Sequence, residues 1–286
     1  MKQLSNHNDP LLLYNGVTIP CVGYGTYKVP GEAARASVSA AIRAGYRHID
    51  TAAYYRNEAG VGQAVRESGF AREDFFITSK VWNTDRGYEK TRAALEASLK
   101  ALDTDYLDLY LIHWPANYLQ YGRDAEALNA ETWRALEDLY QEGRVRAIGL
   151  SNFLPHHIEA LMKTARIKPM VDQIELHPGW LQRGVLRYCR DNGILAEAWS
   201  PMGRGALLEA PALKELAGKY GKTVPQLCVR WVLQHGALPL PKSVHPDRIA
   251  ANAQVFDFSI SDRDMETMDN LVNLGGQCAR PDDVLF

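Results

Sequence analysis

Polar or aromatic side chains recur at the ends of apolar runs along the chain. Seven of them stand out: Asp50, Lys80, His113, Ser151, Gln173, Trp199 and Lys242. The intervals between them are 30, 33, 38, 22, 26 and 43 residues, and all but the last are close to one strand–helix unit. Any one of these residues alone is explained by ordinary structure, but the regular spacing of the set is not. If the runs are parallel strands of one barrel, all seven side chains converge on one pocket.

Three of these residues form a chemically sensible group with a nearby tyrosine. A free tyrosine has a pKa of about 10 and is a poor acid at neutral pH, but an adjacent ammonium stabilises its phenolate. Asp50 would hold Lys80 charged and in place. His113 could donate a hydrogen bond to a substrate oxygen and orient it. Such a site protonates an oxygen that gains negative charge, as in the reduction of a carbonyl by hydride.

Two adjacent tyrosines, Tyr54 and Tyr55, follow Asp50, and spacing alone does not choose between them. A short loop after the strand could fold the Tyr55 hydroxyl back over the barrel mouth. An isolated buried aspartate–lysine pair is more often structural than catalytic, and an isolated histidine is more often a satisfied core residue. We assign Asn57 and Glu58 to structure, as the N-cap and first turn of a helix.

Composition narrows the class of protein. The chain has 286 residues and a formal net charge of −2, with 46% hydrophobic and 23% charged residues, which suits a soluble globular enzyme. No basic field indicates nucleic acid or an anionic membrane as a partner. The polar N-terminus has no signal-peptide core and no apolar run is long enough for a membrane span, so a cytoplasmic protein is expected. The four cysteines form no CxxC pair, so neither a zinc cage nor a redox dithiol is indicated.

Strand-like and helix-like runs alternate almost throughout. The strands are predicted at 21–25, 48–50, 75–80, 106–113, 145–151, 170–176, 194–200 and 237–243. The helices are predicted at 31–45, 57–68, 88–102, 125–143, 154–165, 181–193, 211–235 and 246–256. Eight such units fit a (β/α)8 TIM barrel of the α/β class, which is typically about 250 residues long. We therefore predict one barrel domain over residues 1–286, opened by a β-hairpin that turns at Asn15-Gly16.

The rival architecture is an open doubly wound sheet, which predicts a GxGxxG turn after the first strand. The nearest match is Gly23-x-Gly25-x-x-Lys28, which lacks the third glycine. A hydrolase is not supported either, since Gly149-Leu-Ser-Asn-Phe is not a GxSxG nucleophile elbow.

Six segments, spread over essentially the whole chain, closely resemble the aldo-keto reductase family, and in particular its shorter bacterial 2,5-diketo-gluconate and methylglyoxal reductases. They are GYRHIDTAAYYRNE (45–58), ITSKVWN (77–83), YLDLYLIHWP (106–115), GRVRAIGLSNF (143–153), DQIELHP (172–178) and LPKSVHPDRIAAN (240–252). The resemblance implies a (β/α)8 barrel that binds NADPH without a Rossmann motif.

The resemblance also implies roles for single residues. The catalytic tetrad falls on Asp50, Tyr55, Lys80 and His113, with Tyr55 rather than Tyr54 as the general acid. The nicotinamide carboxamide is assigned hydrogen bonds from three further residues, Ser151, Asn152 and Gln173. Trp199 takes the place of the aromatic ring that stacks on the nicotinamide. The loop 200–207, which begins with Ser200, is expected to cross the pyrophosphate, where its glycines allow close approach.

The adenosine end of the cofactor is assigned to the last strand and helix. The contacts to the 2′-phosphate fall on Lys242, Ser243 and Arg248, and Asn252 matches an adenine contact. These cations gather where a helix begins, which favours an anion and therefore NADPH over NADH. His245 is a further candidate near the phosphate. Ala251 departs from the polar residue often found at its position.

The substrate pocket is assigned to three aromatic walls: Tyr27, Trp82 and Trp114. The loop 117–129 and the tail 275–286 are expected to form a variable rim, where Arg280 suggests polar or anionic carbonyl substrates. The predicted function is NADPH-dependent reduction of aldehydes and ketones by a monomer. The alternative is an NADPH-binding sensor or scaffold on the same barrel.

Overall fold

The computed structural model describes residues 4–272, 274 and 276–286. The chain opens with an antiparallel hairpin of β1 (Pro10–Leu12) and β2 (Thr18–Pro20). Gly16 in the connecting turn has a φ of 88°, a conformation that glycine adopts without steric cost. The predicted hairpin is therefore confirmed.

Eight parallel strands form the central sheet. They are β3 (Tyr24–Gly25), β4 (His48–Asp50), β5 (Phe76–Val81), β6 (Leu109–Ile112), β7 (Ile148–Ser151), β8 (Val171–Glu175), β9 (Leu195–Trp199) and β10 (Leu238–Leu240). Each strand pairs with the next in sequence. The backbone nitrogens of Gly23 and Gly25 donate to the carbonyls of Pro239 and Pro241 at 3.1 Å, which joins the last strand to the first. The predicted (β/α)8 barrel is confirmed.

Helices connect the strands and cover the outside of the barrel. They are α1 (Gly31–Arg43), α2 (Glu58–Arg66), α3 (Tyr88–Leu102), α4 (Tyr118–Tyr121), α5 (Ala125–Gln141), α6 (Pro155–Met162), α7 (Arg183–Asp191), α8 (Pro211–Lys219), α9 (Val224–Gln234), α10 (Pro246–Ala253) and α11 (Asp262–Asp269). Helix α3 shows the pattern that holds them in place. Leu95, Leu99 and Leu102 are buried, while Lys90 and Glu96 face the solvent.

One predicted helix is two helices. The run expected over 211–235 is interrupted between α8 and α9, where Gly221 has a φ of 63°. Thr223 then starts α9 with a reciprocal cap: its hydroxyl accepts from the backbone nitrogen of Gln226, and the Gln226 side chain accepts from the Thr223 nitrogen at 3.0 Å. Glycine followed by a capping residue therefore ends one helix and begins the next.

The start of α2 also departs from the prediction. The helix begins at Glu58 with Asn57 before it, but the Asn57 side chain makes no cap hydrogen bond. Its amide donates to the carbonyls of Thr26 and Val29 at 3.0 and 3.1 Å and accepts from the Thr51 hydroxyl at 2.7 Å. Asn57 therefore ties the loop after β3 to the loop after β4, and both loops border the mouth of the barrel.

The apolar core lies between the strands and the helices. Trp133 of α5 and Trp231 of α9 are almost fully buried in it. Their indole nitrogens are satisfied by the Ile167 carbonyl and the Asp269 carboxylate, at 3.0 and 2.8 Å. Within the described part of the chain, no helix is long and apolar enough to cross a membrane.

Candidate active site

The carboxyl ends of the barrel strands open into a cavity of about 480 Å³. Every residue predicted above for the tetrad, the cofactor or the pocket walls lines this cavity, except Lys80 and the further candidate His245. Lys80 has no exposed surface and lies under the floor, bonded to residues that do line the cavity. His245 and the loop 117–129 do not line it. The strand-end spacing in the sequence therefore corresponds to one common pocket.

A buried ion pair holds the floor of the cavity. The Lys80 ammonium donates to both Asp50 carboxylate oxygens, at 2.8 and 2.7 Å, and to the Thr51 carbonyl at 2.9 Å. A buried pair is tolerated only when close geometry and further hydrogen bonds compensate for the lost hydration, and these contacts supply both. The ammonium also lies 3.4 Å from the Tyr55 hydroxyl.

Loop geometry separates the two adjacent tyrosines. The short 3-10 turn Ala53–Tyr55 folds Tyr55 back over the strand ends, where its hydroxyl meets Lys80. Tyr54 is 49% exposed and stacks on Trp82 instead, with the ring centroids 3.8 Å apart. Only the Tyr55 hydroxyl is therefore within reach of the ammonium.

The electrostatics of Tyr55 differ from the expectation. From the sequence, the Lys80 ammonium is expected to favour the phenolate, which would lower the pKa of Tyr55. In the structure, burial and then the Asp50 carboxylate raise the pKa of Tyr55 well above its usual value. The carboxylate lies so close to the ammonium that it offsets much of its field at the phenol. Tyr55 therefore keeps its proton at neutral pH until an acceptor with growing negative charge is beside it.

His113 follows β6 and is 7% exposed. Burial, followed by the charges of Lys80 and Arg86, lowers the pKa of His113 well below its usual value. The ring packs edge-on against Trp82 and Tyr55, with centroids 5.0 and 5.7 Å away. A neutral imidazole in this place can donate one hydrogen bond without adding a charge.

The ends of β7 and β9 are joined through Asn152, which has a left-handed φ of 64°. Its side-chain nitrogen donates to the His113 carbonyl at 2.9 Å and to the Ser151 hydroxyl at 3.0 Å. Its side-chain oxygen accepts from the Trp199 indole at 2.8 Å. The Ser151 hydroxyl in turn donates to the backbone carbonyl of Gln173 at 2.9 Å. This network fixes the indole plane at the cavity wall.

The Gln173 side chain is also committed within the protein. Its nitrogen donates to Asp50 and to Glu197, at 2.8 Å each. With these donors used, the groups that Ser151, Asn152 and Gln173 can still offer to a ligand are acceptor oxygens. Glu197 was missed in the sequence, although it stands two residues before Trp199 in a strand and therefore points to the same face.

The opposite end of the cavity is positively charged. Lys28, Lys242 and Arg248 line it, and among the described residues none of the three forms an ion pair. Lys28 was not predicted as a site residue; it lies just after β3 and has a left-handed φ of 59°. Burial, followed by the charge of Lys28, lowers the pKa of Lys242. Neighbouring cations without a counter-charge are suited to an anionic ligand.

The loop after β9 lies along the cavity between these two ends. Ser200 and Arg204 both have a φ of 52°. The Arg204 guanidinium lies 5.4 Å from the ring centroids of Tyr27 and Trp199 and donates to the Cys278 sulfur at 2.8 Å. The loop is therefore tied to the C-terminal tail across the cavity.

The last residue of the chain forms part of the cavity wall. The Phe286 ring stacks on Trp82 and meets Trp114 edge-on, with centroids 5.9 and 5.2 Å away. The Asn83 side chain donates to the Phe286 carbonyl at 2.8 Å. Asn117 holds the preceding turn by donating to tail carbonyls. Cys278 and Phe286 of the tail thus line the cavity, whereas Asn117 holds the tail without lining it.

A second cavity of about 350 Å³ adjoins the first. Trp114, Asn152, Trp199 and Cys278 line both cavities. Arg280, which the sequence suggested for anionic substrates, lines this second cavity and not the first. It is therefore separated from the floor where Lys80 and Asp50 lie.

The model of the Aldo/keto reductase family matches residues 21–273. The chain belongs to this family. It is 52% identical over 279 residues to glyoxal reductase of Bacillus subtilis, covering 97% of this chain and 98% of the relative. It is 42% identical over 250 residues to a putative methylglyoxal reductase of Salmonella typhi, covering 87% and 88%. The predicted family and enzyme class are confirmed.

A solved relative shows the same architecture. The aldo-keto reductase of Bombyx mori, determined in complex with NADP, superposes with a TM-score of 0.87 at 35% identity, over 96% of this chain and 95% of the other. The barrel and its hairpin therefore agree with experimental structures of the family.

Proposed function

We propose that this aldo-keto reductase uses NADPH to reduce small aldehydes and ketones, with Tyr55 as the acid that protonates the substrate oxygen. The observation that carries the proposal is the Tyr55 hydroxyl beside the buried Lys80–Asp50 pair, at the floor of an aromatic cavity. His113, neutral and facing the same cavity, completes the group.

In the proposed reaction, each residue of the tetrad has a separate role. Bound NADPH supplies the hydride. As the carbonyl oxygen gains negative charge, His113 donates a hydrogen bond to it and Tyr55 transfers its phenolic proton. The phenolate left on Tyr55 is stabilised by the Lys80 ammonium, which Asp50 keeps charged and in position. General acid catalysis of this kind contributes typically about 10²- to 10⁴-fold.

The nicotinamide end of the cofactor is assigned to the strand ends of β7, β8 and β9. Ser151, Asn152 and Gln173 retain acceptor oxygens, which complement the two N–H donors of a carboxamide. Trp199 offers a flat ring whose orientation is fixed by its hydrogen bond to Asn152, and that ring would cover one face of the nicotinamide.

The phosphate end is assigned to the cations. Lys28 and Ser200 are assigned to the pyrophosphate, and Lys242, Ser243 and Arg248 to the 2′-phosphate; all five line the cavity. Asn252 is the adenine contact. The NADP complex of the Bombyx mori relative supports this cofactor, since the chain superposes on it over nearly its whole length.

Small dicarbonyl compounds are the proposed substrates, since relatives with 52% and 42% identity are named for glyoxal and methylglyoxal. The test is to mix the protein with NADPH and methylglyoxal and follow cofactor absorbance. Oxidation of NADPH that depends on the aldehyde is the expected result. Tight NADPH binding without turnover of any aldehyde in a broad panel would contradict the proposal and favour a sensor or scaffold.

The organisation of the whole chain belongs to the same proposal. One domain over residues 1–286, a monomer of 32.0 kDa and a cytoplasmic location stay predictions. Light scattering after size exclusion tests the monomer directly, because a dimer would double the measured mass.

A further inference from the structure

A second carboxyl group lies inside the barrel, close to the catalytic pair. Glu197 of β9 has no exposed surface, and one of its oxygens accepts from the Gln173 side-chain nitrogen at 2.8 Å. The same nitrogen donates to the Asp50 carboxylate at 2.8 Å. One amide group therefore links two carboxyl groups that come from strands in different parts of the barrel.

This link fixes the orientation of the Gln173 amide. An amide nitrogen has two hydrogens, and both are used, one toward each carboxyl group. The reversed orientation would place the amide oxygen 2.8 Å from the Asp50 carboxylate, which is repulsive. The amide oxygen of Gln173 is therefore the atom left for the nicotinamide carboxamide.

We infer that Glu197 is a positioning residue, which holds the Gln173 amide in one orientation and, through it, keeps Asp50 aligned against Lys80. The inference rests on the proposed function, because Gln173 and Asp50 act in it on cofactor and acid. Glu197 itself does not line the cavity.

The charges around Glu197 are consistent with this role. Burial first, and then the Asp50 carboxylate, raise the pKa of Glu197 to about 8, so the group is mostly neutral at pH 7. Its second oxygen lies 3.9 Å from His48, whose pKa burial lowers to about 3, so that His48 is neutral too. Asp50 and Lys80 are the remaining charged groups that face it, and they cancel. The support for Gln173 therefore adds no net charge beneath Tyr55.

Two variants distinguish a role of Glu197 as a hydrogen-bond acceptor from a role in side-chain packing alone. Glu197→Gln keeps an acceptor oxygen in place and should retain kcat within about 3-fold, because hydrogen bonding to Gln173 survives. Glu197→Met has similar volume but no strong acceptor, so the Gln173 amide loses its anchor. We expect kcat to fall roughly 10- to 100-fold, since misplacement of reacting groups by about 1 Å costs rates of that size. The KM for the aldehyde should change little.

The matched control is Asp172→Asn, which alters another fully buried carboxyl group, one residue from Gln173 on the opposite face of β8. It should keep wild-type kcat. Glu197→Asp covers the case in which the methionine variant does not fold, since it keeps a carboxyl group but withdraws it from Gln173, and it should also lose rate.

Two experimental outcomes would overturn the inference. Retention of wild-type kcat by Glu197→Met, or by Glu197→Asp if the first is unfolded, overturns the inference. Equal losses in the Gln and Met variants overturn it as well, because a role as hydrogen-bond acceptor must be rescued by glutamine. A pH profile that is the same in wild type and Glu197→Gln below pH 8 supports a neutral Glu197. If the wild-type protein reduces no aldehyde, it is the proposed function that fails.

Discussion

The candidate active-site cavity has a proposed catalytic end and a proposed phosphate end, and the charged groups at the two ends are arranged in opposite ways. At the catalytic end, Lys80 is fully buried and bonded to Asp50 on both carboxylate oxygens. At the phosphate end, Lys28 and Arg248 are exposed, Lys242 is half-buried, and no carboxylate pairs with any of them in the described structure. The first set is complete without a ligand, whereas the second lacks its counter-charge until an anion binds.

This contrast indicates what each end contributes. A buried, fully bonded pair gains little from ligand binding. In the proposed function it acts in the transition state, where it stabilises the Tyr55 phenolate. Exposed, unpaired cations stay well hydrated in the absence of a ligand. They form favourable charge-assisted hydrogen bonds when a phosphate binds. Substitutions at the catalytic end should therefore change rate, and those at the phosphate end should change affinity.

The largest effect is expected from Lys80→Met. It removes stabilisation of the Tyr55 phenolate, and we expect kcat to fall by about 10³-fold or more. It also leaves the Asp50 carboxylate buried and unpaired, which should lower the free energy of unfolding by about 3–5 kcal/mol. Turnover and thermal unfolding measure the two effects.

The double variant Lys80→Met with Asp50→Leu is the control for that experiment. Removing both charges should restore most of the stability without restoring activity. If the double variant recovers activity together with stability, the pair is structural and the contrast between the two ends is wrong.

A smaller effect is expected at the phosphate end. Arg248→Ala or Lys242→Met should weaken NADPH binding by about 10- to 100-fold, because each loses a charge-assisted hydrogen bond. Binding of NADH should change by less than about 3-fold, since NADH brings no 2′-phosphate to this site. Fluorescence titration with both cofactors measures this. Lys163→Met, on an exposed surface elsewhere, is the control; equal losses for NADPH and NADH would refute the assignment.

Asp172 extends the comparison to a fully buried carboxyl group that forms no ion pair in the described structure. Burial raises the pKa of Asp172 to about 8. The folded protein therefore keeps a proton that the unfolded chain releases near pH 4, and the free energy of unfolding falls as pH rises from about 4 to 8.

Asp172→Asn cannot ionise, so the dependence of its stability on pH should be flatter than that of wild type in this window. Urea unfolding of wild type and of Asp172→Asn, each at pH 5 and pH 8, gives the dependence of the free energy of unfolding on pH for the two proteins. Identical slopes would show that Asp172 is paired or ionised in the folded protein.

The smallest effect is expected from Phe286→Ala. The ring packs on Trp82 and Trp114 at the rim, away from the charges, so its loss should raise the KM for methylglyoxal by about 3- to 10-fold and leave kcat nearly unchanged. Leu285→Ala is the matched control, since Leu285 is 68% exposed. A large loss of kcat would show that Phe286 affects the chemical step and does more than form the cavity wall.

The barrel and the convergence of three candidate catalytic residues could be predicted from the sequence because both depend on local pattern. Apolar runs ending in Asp50, Lys80 and His113 give strand ends, and parallel strands bring those ends together. The choice of Tyr55 over Tyr54 could not be derived this way, because it depends on a single turn of loop. Family resemblance made that choice, and the role of Tyr55 as the acid stays a prediction.

Other features could not be predicted from the sequence because they depend on contacts between distant segments. Glu197 is unremarkable within its strand until Gln173 is placed beside it. The rise in the pKa of Tyr55 follows first from burial and then from the Asp50 carboxylate, and spacing in the sequence gives neither. Lys28 is different: it follows a strand end and could have been found by the rule that found the others.

The central claim is that Tyr55 supplies the proton, and Tyr55→Phe tests it most directly. The variant loses one hydroxyl group and keeps the ring, so NADPH affinity measured by fluorescence should stay within about 3-fold of wild type. Single-turnover oxidation of bound NADPH by methylglyoxal, followed in the same sample, should slow by about 10²- to 10⁴-fold. A Tyr55→Phe variant that binds NADPH normally and keeps most of its single-turnover rate would contradict the account.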